Sequence, residues 1–354
     1  MARTPGDAAS RDRVQGLAGP KHLFCRGYWH GPCVRVIKPR NLLLLRLMKA
    51  ALALVLVALI AGPGAVVATA QPAETDAAAS TLLRDGSKLR LASANVLVFD
   101  ASNGQPIYAK GADSVTPIAS VTKLMTAMVV LDGGQSLDET IDVSIADLDM
   151  LKGSHSRLRL GTELSRRDML RIALMASENR AASSMARHYP GGTEAFVQAM
   201  NHKAQSLGMT NTNFADPTGL SSENVSTAND VARMVQAAAG YALIREFTTT
   251  ATHYVEVQPT GQLLGFNNTN SLVKSGAWDI QVSKTGFIRE AGKCLVMLAN
   301  IASRPVIIVL LDSLGRLTRI GDANRVKHWL ETGEALPQTA AKQVQRGRRT
   351  AARG

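Results

Sequence analysis

The stretch DIQVSKTGFIREAGKCLVMLANIASRPVIIVLLDS, residues 279–313, contains three apolar runs, DIQVSKTGF, KCLVMLANIA and PVIIVLLDS, separated by short polar segments. Runs of this length, rich in Val, Ile and Leu and bounded by turn residues, read as three successive β-strands. Outward toward the N-terminus, ANVLVFDASNGQPIYAKG (94–111) gives two more β-rich runs around Asn103-Gly104, a hairpin signal. Toward the C-terminus, GDANRVKHWLET (321–332) reads as a closing helix.

The chain between these ends is helical in pattern. A helix from Ser120 stops at Asp132-Gly133-Gly134, and residues 135–164 break into short polar and apolar pieces. Ser165 reads as the N-cap of RRDMLRIALMA, a further helix spans about Asn179 to Tyr189, and Thr193 is expected to cap EAFVQAMNHKAQSL, which ends at Gly208. Ser226 or Thr227 opens a helix through Ala239. Strands at both ends with helices between them predict an α/β fold: one antiparallel sheet built from both chain ends, carrying a helical insertion.

The net charge of +12 invites a nucleic-acid reading, but its distribution excludes one. Residues 1–47 hold nine Lys/Arg against two Asp/Glu, and 338–354 hold five with no acid, so the part expected to fold is close to neutral. The run MKAALALVLVALIAGPGAVVATAQ (48–71) has a lysine, a short apolar core, helix breakers and Ala68-Thr69-Ala70, the layout of a secretory signal peptide cleaved after Ala70. Because Met48 opens a well-formed signal by itself, 1–47 reads as an upstream extension or a long n-region. Residues 71–92 are expected to form a linker, 93–334 the folded domain and 335–354 a basic disordered tail. Cys25 and Cys33 precede the expected cleavage site, leaving Cys294 alone in the mature chain and no internal disulfide.

The chemistry centres on PIASVTKLMTAMVVLD (117–132). On a helix, Ser120 and Lys123 share a face, and the remaining positions are apolar nearly all round, so the helix is expected to be buried. Desolvation lowers a lysine's pKa, and a partly neutral Lys123 can take the proton of Ser120. S-x-x-K alone is a weak signal: Ser271-Leu272-Val273-Lys274 matches it too. The company is what specifies it. Ser177-Glu178-Asn179 lies between two helices and Lys284-Thr285-Gly286 ends a strand, giving S-x-x-K, S-x-N and K-T-G in the order found in penicillin-binding proteins and serine β-lactamases. Ser222-Glu223-Asn224 and Lys274-Ser275-Gly276 imitate two of these motifs but read as loop residues. His155, His188, His202, His253 and His328 show no metal spacing, no G-x-S-x-G is present, and no cofactor is implied.

With these motifs, and with LMASENRAAS, HYPGGTEAFVQAMN, ADPTGLSSENVST and SKTGF, residues 93 to 334 resemble the low-molecular-mass penicillin-binding proteins, the serine D-alanyl-D-alanine peptidases, and among them the endopeptidases. The resemblance implies a β-lactamase/transpeptidase-like fold. It implies Ser120 as the acylated nucleophile, Lys123 as its general base, and Ser177 as a proton relay toward the leaving group. Asn179 would hold Lys123 and the substrate amide, Lys284 would supply positive charge for a substrate carboxylate, and Thr285 a hydroxyl beside it. Gly286 would leave room for a peptide along the strand edge, and the backbone N–H groups of Ser120 and Phe287 would form the oxyanion hole. The implied partners are peptidoglycan peptide cross-links and β-lactams as covalent inhibitors, in the periplasm, with at most peripheral membrane association. A chain ending about 70 residues after Lys284 is expected to lack the extra β-rich domain of many carboxypeptidases, which favours the endopeptidase. The alternatives are a carboxypeptidase, a β-lactamase, for which no deacylating glutamate is identifiable, and a non-catalytic binding module.

Overall fold

The computed structural model describes residues 85–150 and 152–336. The expected upstream extension, signal peptide and most of the basic tail therefore lie outside the described residues. Along the chain come β1 (Asn95–Asp100), β2 (Gln105–Lys110), β3 (Thr116–Pro117), α1 (Lys123–Asp132), β4 (Thr140–Asp142) and β5 (Glu163–Ser165). There follow α2 (Arg166–Met175), α3 (Asn179–Arg187), α4 (Gly192–Ser206), β6 (Val225–Ser226), α5 (Ala228–Ala238), α6 (Ala242–Thr249), β7 (Thr252–Val257) and β8 (Gln262–Asn267). A helical turn α7 (Ser271–Lys274), three long strands β9 (Asp279–Ile288), β10 (Gly292–Ile301) and β11 (Arg304–Ser313), and α8 (Thr318–Thr332) complete it.

The sheet joins both ends of the chain, as the sequence predicts. Its order is β2-β1-β11-β10-β9, antiparallel throughout, so the first hairpin docks on the last strand and β9 is left at one edge. The central strands are apolar on both faces because both faces are covered. Leu97, Val296, Ile307 and Val309 face the helical insertion, while their neighbours Val96, Val98, Leu295, Met297, Ile308 and Leu310 face α8 and its Trp329.

Several boundaries differ from the sequence reading, each for a physical reason. The hydroxyl of Ser165 accepts the N–H of Asp168, and that of Thr227 accepts the N–H of Asp230, as N-caps do. Helix α4 instead starts at Gly192, behind a left-handed Gly191, so Thr193 is inside it. Ala119–Thr122 form a 3₁₀ turn, and the α-helix begins only at Lys123. Lys274 ends the helical turn α7, capped by Asn270, rather than sitting in a loop. Of the expected 71–92 linker, residues 71–84 lie outside the described residues, and its last residues are packed: Leu89 and Leu91 are buried against the sheet, and the N–H groups of Ala92 and Ser93 donate to Asp322.

Candidate active site

The Ser120 turn is wedged between two backbones. A Cβ on Gly286 of β9 would lie 2.9 Å from the Ile118 carbonyl oxygen and 3.1 Å from Ala119 Cβ. A Cβ on Gly219, whose φ is +81°, would lie 2.0 Å from the Ala119 carbonyl oxygen, which no packing tolerates. Gly286 is thus needed on its inner side, against the serine turn, a requirement separate from the room for a peptide along the strand that the resemblance implies. Ala119 itself takes a positive φ of 47°, an arrangement that this packing holds in place.

Lys123 is 1 % exposed, and its ammonium has three acceptors: Ser120 Oγ at 3.0 Å, Asn179 Oδ1 at 2.7 Å and the Thr218 carbonyl oxygen at 2.7 Å. Burial pushes its pKa down to about 7, against the opposing pull of Asp216 and Glu178. The geometry fixes what happens when one proton leaves. Asn179 Oδ1 and Thr218 O can only accept, so the two remaining N–H groups stay with them and the lone pair faces Ser120 Oγ.

Ser177 sits between α2 and α3 in the left-handed region, φ +62°, and does not cap α3; the Glu178 side chain does, accepting the Arg180 N–H. Asn179 opens α3 and donates its Nδ2 to Ser154 Oγ at 2.9 Å. Lys284 donates to Ser177 Oγ at 2.9 Å and to the Thr285 carbonyl at 3.0 Å. Burial first, then Lys123 and Arg319, hold the Lys284 ammonium well below its ordinary pKa. A bound carboxylate offsets both effects, so the positive charge expected at Lys284 is best supported when an anion is present. Thr285 donates its hydroxyl to Thr269 Oγ1 at 2.6 Å. The Phe287 ring is 58 % exposed, with Lys293 Nζ 3.8 Å from its centroid.

Ser120, Ser177, Asn179, Thr285, Gly286 and Phe287 line one cleft of about 900 Å³. Lys123 and Lys284 reach Ser120 and Ser177 from below. The structure thus brings together all eight residues the sequence selects. It adds four that sequence reasoning missed. Ser154 and Thr218 act through one hydroxyl and one carbonyl, and Thr269 through a single hydroxyl, none of which forms a motif. Arg319 of α8 also lines the cleft, with its Nε and Nη1 buried and unpartnered. A lone arginine in a polar helix gives no sequence signal. The segment ADPTGL, which supplies Thr218 and Gly219, reads only as a turn. Among the false matches, Asn224 is buried and accepts the N–H groups of Ala215 and Asp216, so it braces that same turn.

Residues 83–315 match the family described as D-alanyl-D-alanine carboxypeptidase, peptidase S11. The chain is 49 % identical to a D-alanyl-D-alanine endopeptidase of Pseudomonas aeruginosa over 75 % of its own length and 85 % of that protein. It is 48 % identical to the D-alanyl-D-alanine endopeptidase of Escherichia coli, over 72 % and 82 % respectively. Among solved structures it resembles penicillin-binding protein D2 of Listeria monocytogenes in its cefotaxime-bound form, with a TM-score of 0.60 and 29 % identity over 68 % of this chain and 97 % of that one. An SxxK serine with a desolvated lysine, an SxN and a KTG around one cleft, on a fold shared with a penicillin-binding protein, accord with that match: the chain belongs to the D-alanyl-D-alanine carboxypeptidase family of serine peptidases.

Proposed function

We propose that this serine D,D-peptidase is an endopeptidase that hydrolyses the D-alanyl cross-links of peptidoglycan through an acyl-enzyme on Ser120. The observation that carries the chemistry is the three-acceptor setting of Lys123, which aims its lone pair at Ser120 Oγ. The choice of cross-links over terminal D-alanine rests on the near-half identity to two D-alanyl-D-alanine endopeptidases.

In the proposed sequence, neutral Lys123 takes the Ser120 proton as Oγ attacks the D-alanyl carbonyl. The oxyanion forms beside the backbone N–H groups of Ser120 and Phe287. Ser177, held by Lys284, passes a proton to the departing amine. Lys284, the Thr285 hydroxyl and the unpartnered guanidinium of Arg319 receive the carboxylate beside that amine. Water then hydrolyses the ester, with Lys123 again as base. No cofactor is required by these steps.

β-Lactams are proposed to acylate the same serine and to leave slowly, because the carboxylate that lines the cleft, Glu290, is tied to Lys152 at 2.7 Å. The export signal read at 48–70 supports a periplasmic location, with at most peripheral membrane association.

The test uses the chain from residue 71 on a mixture of D-Ala-terminated pentapeptide and D,D-cross-linked dimer, followed by mass spectrometry. Conversion of dimer to monomers with pentapeptide untouched supports the endopeptidase. Loss of D-alanine from pentapeptide with dimer intact makes it a carboxypeptidase. Many turnovers of penicillin per second without a lasting adduct make it a β-lactamase, and no reaction on any D,D-peptide leaves a binding module.

A further inference from the structure

One end of the cleft carries cations that form no salt bridge among the described residues. Arg289 and Arg319 line it, and Lys293 lies directly across from Phe287 in the β9–β10 register. Lys293 also pairs with Ser313 at the end of β11, and Arg316 follows in the connection to α8. Burial, then Arg319 and Arg316, press the Lys293 ammonium below its ordinary pKa, which shows these charges sharing one neighbourhood. None of the four has a carboxylate partner among the described residues, whereas Arg166, Arg171, Arg187, Arg233 and Arg325 are all ion-paired. Of the acids nearby, Glu290 is bonded to Lys152 and feels Arg289 without forming a salt bridge to it, and Asp312 forms no salt bridge among the described residues.

Such an arrangement costs electrostatic energy in the free protein and is repaid by an anionic ligand. Its position says which part of the substrate that is. On the proposed mechanism the carboxylate beside the scissile bond is met by Lys284, Thr285 and Arg319. A substrate ending in free D-alanine stops there. In a cross-link the departing amine belongs to a second peptide strand, which must continue past that point over the surface of Phe287, Lys293, Arg289 and Arg316.

We propose that the rim formed by Arg289, Lys293 and Arg316 is the binding surface for the leaving strand of a cross-linked substrate, a peptide arm bearing carboxylates of its own. This rests on the endopeptidase reading and names the surface that separates cross-linked from linear substrates. Arg289 and Arg316 are exposed, and neither takes part in the chemistry. Lys293 is left unchanged in the test because it stacks on Phe287.

The experiment compares wild type with the Arg289→Gln/Arg316→Gln double variant and with Arg316→Glu, measuring kcat/KM on cross-linked dimer and the rate of covalent labelling by a fluorescent penicillin. The dimer value is expected to fall about five- to tenfold in both variants, mostly through KM, while penicillin labelling stays within about twofold. Raising salt from about 0.05 to 0.5 M should slow dimer cleavage by wild type and leave the double variant nearly unaffected. Wild-type dimer cleavage in the variants, or a parallel loss of penicillin labelling, overturns the inference while leaving the endopeptidase reading intact. A wild type that removes terminal D-alanine but leaves dimers whole overturns both.

Discussion

The Lys123 ammonium donates to the Thr218 carbonyl oxygen at 2.7 Å, and Thr218 is held there by Asp216. One Asp216 oxygen accepts the N–H and hydroxyl of Thr218 and the N–H of Gly219; the other accepts the N–H of Ser221. Asp216 is therefore both the brace of the turn and the larger of the two negative charges that support the Lys123 proton.

That dual role predicts a pH profile. Only neutral Lys123 can act as base, so penicillin acylation should rise with pH through about 7. Asp216→Asn keeps an oxygen for Thr218 and Gly219 but removes the charge, so the acid limb should move to lower pH. Labelling rates across pH 5–9 measure it, and an unmoved limb would mean that another group sets it. Folding responds too. The pKa is lowered from 10.5 in the unfolded chain, so the cost of burying this ammonium is full below about pH 7 and fades as pH rises toward 10.5.

Ser120→Ala should abolish both peptide hydrolysis and covalent penicillin labelling, by about 10⁴-fold or more, with thermal stability near wild type. Only Ser120 Oγ and its bond to Lys123 are lost. Mass spectrometry of the intact protein after penicillin treatment checks this: an adduct on the variant would remove Ser120 from its assigned role.

The fold was largely legible because its signals are local and redundant. The three apolar runs after Asp279 identify three strands and the Asn103-Gly104 turn a hairpin; S-x-x-K and S-x-N lie at element boundaries, while Lys284-Thr285-Gly286, expected to end its strand, lies within β9, which runs on to Ile288. Less legible were the features set by tertiary contact. The β7–β8 hairpin has a half-exposed pattern, with Tyr254 and Leu263 facing solvent, so periodicity does not announce it. Thr218 acts through a backbone carbonyl that any residue possesses. Arg319 becomes a site residue only because α8 packs back on β10 and β11. Gly286 was recognised, but the neighbour that requires it, the Ile118–Ser120 backbone, is visible only in three dimensions.

The two glycines around the serine turn should differ in severity. Gly219→Ala places a methyl 2.0 Å from a backbone oxygen at a φ of +81°, so it should cost about 3 kcal/mol or more and reduce acylation at least about 10²-fold. Gly286→Ala has an ordinary φ and a closest approach of 2.9 Å. Its stability loss should be smaller, about 1–3 kcal/mol, while acylation still falls because the turn carrying Ser120 must shift. Denaturant melts paired with penicillin labelling separate the two effects.

Cys294 offers a reporter of opening. It is fully buried in β10, and burial pushes its thiol up to about 11. Iodoacetamide at neutral pH should leave it unmodified in the native protein and label it only on unfolding, since the thiolate is the reactive form. Labelling of folded protein on the timescale of a free thiol would show that the strand opens locally.

Asp322 should prove the latch between the two ends of the chain. Fully buried, it accepts the N–H groups of Ala92 and Ser93 and the Ser93 hydroxyl, and it pairs with Arg325 at 2.7 Å. Ser93 in turn meets Ser313 at the end of β11. Asp322→Ala strands three donors and a guanidinium, so stability should fall by about 3–5 kcal/mol. Hydrogen exchange should rise first in residues 85–93. The neighbouring strand β1 is anchored independently by its register with β11, so penicillin labelling should persist well below the lowered melting temperature. Loss of labelling before any loss of protection at 85–93 would show that Asp322 instead supports the cleft through α8, one turn from Arg319.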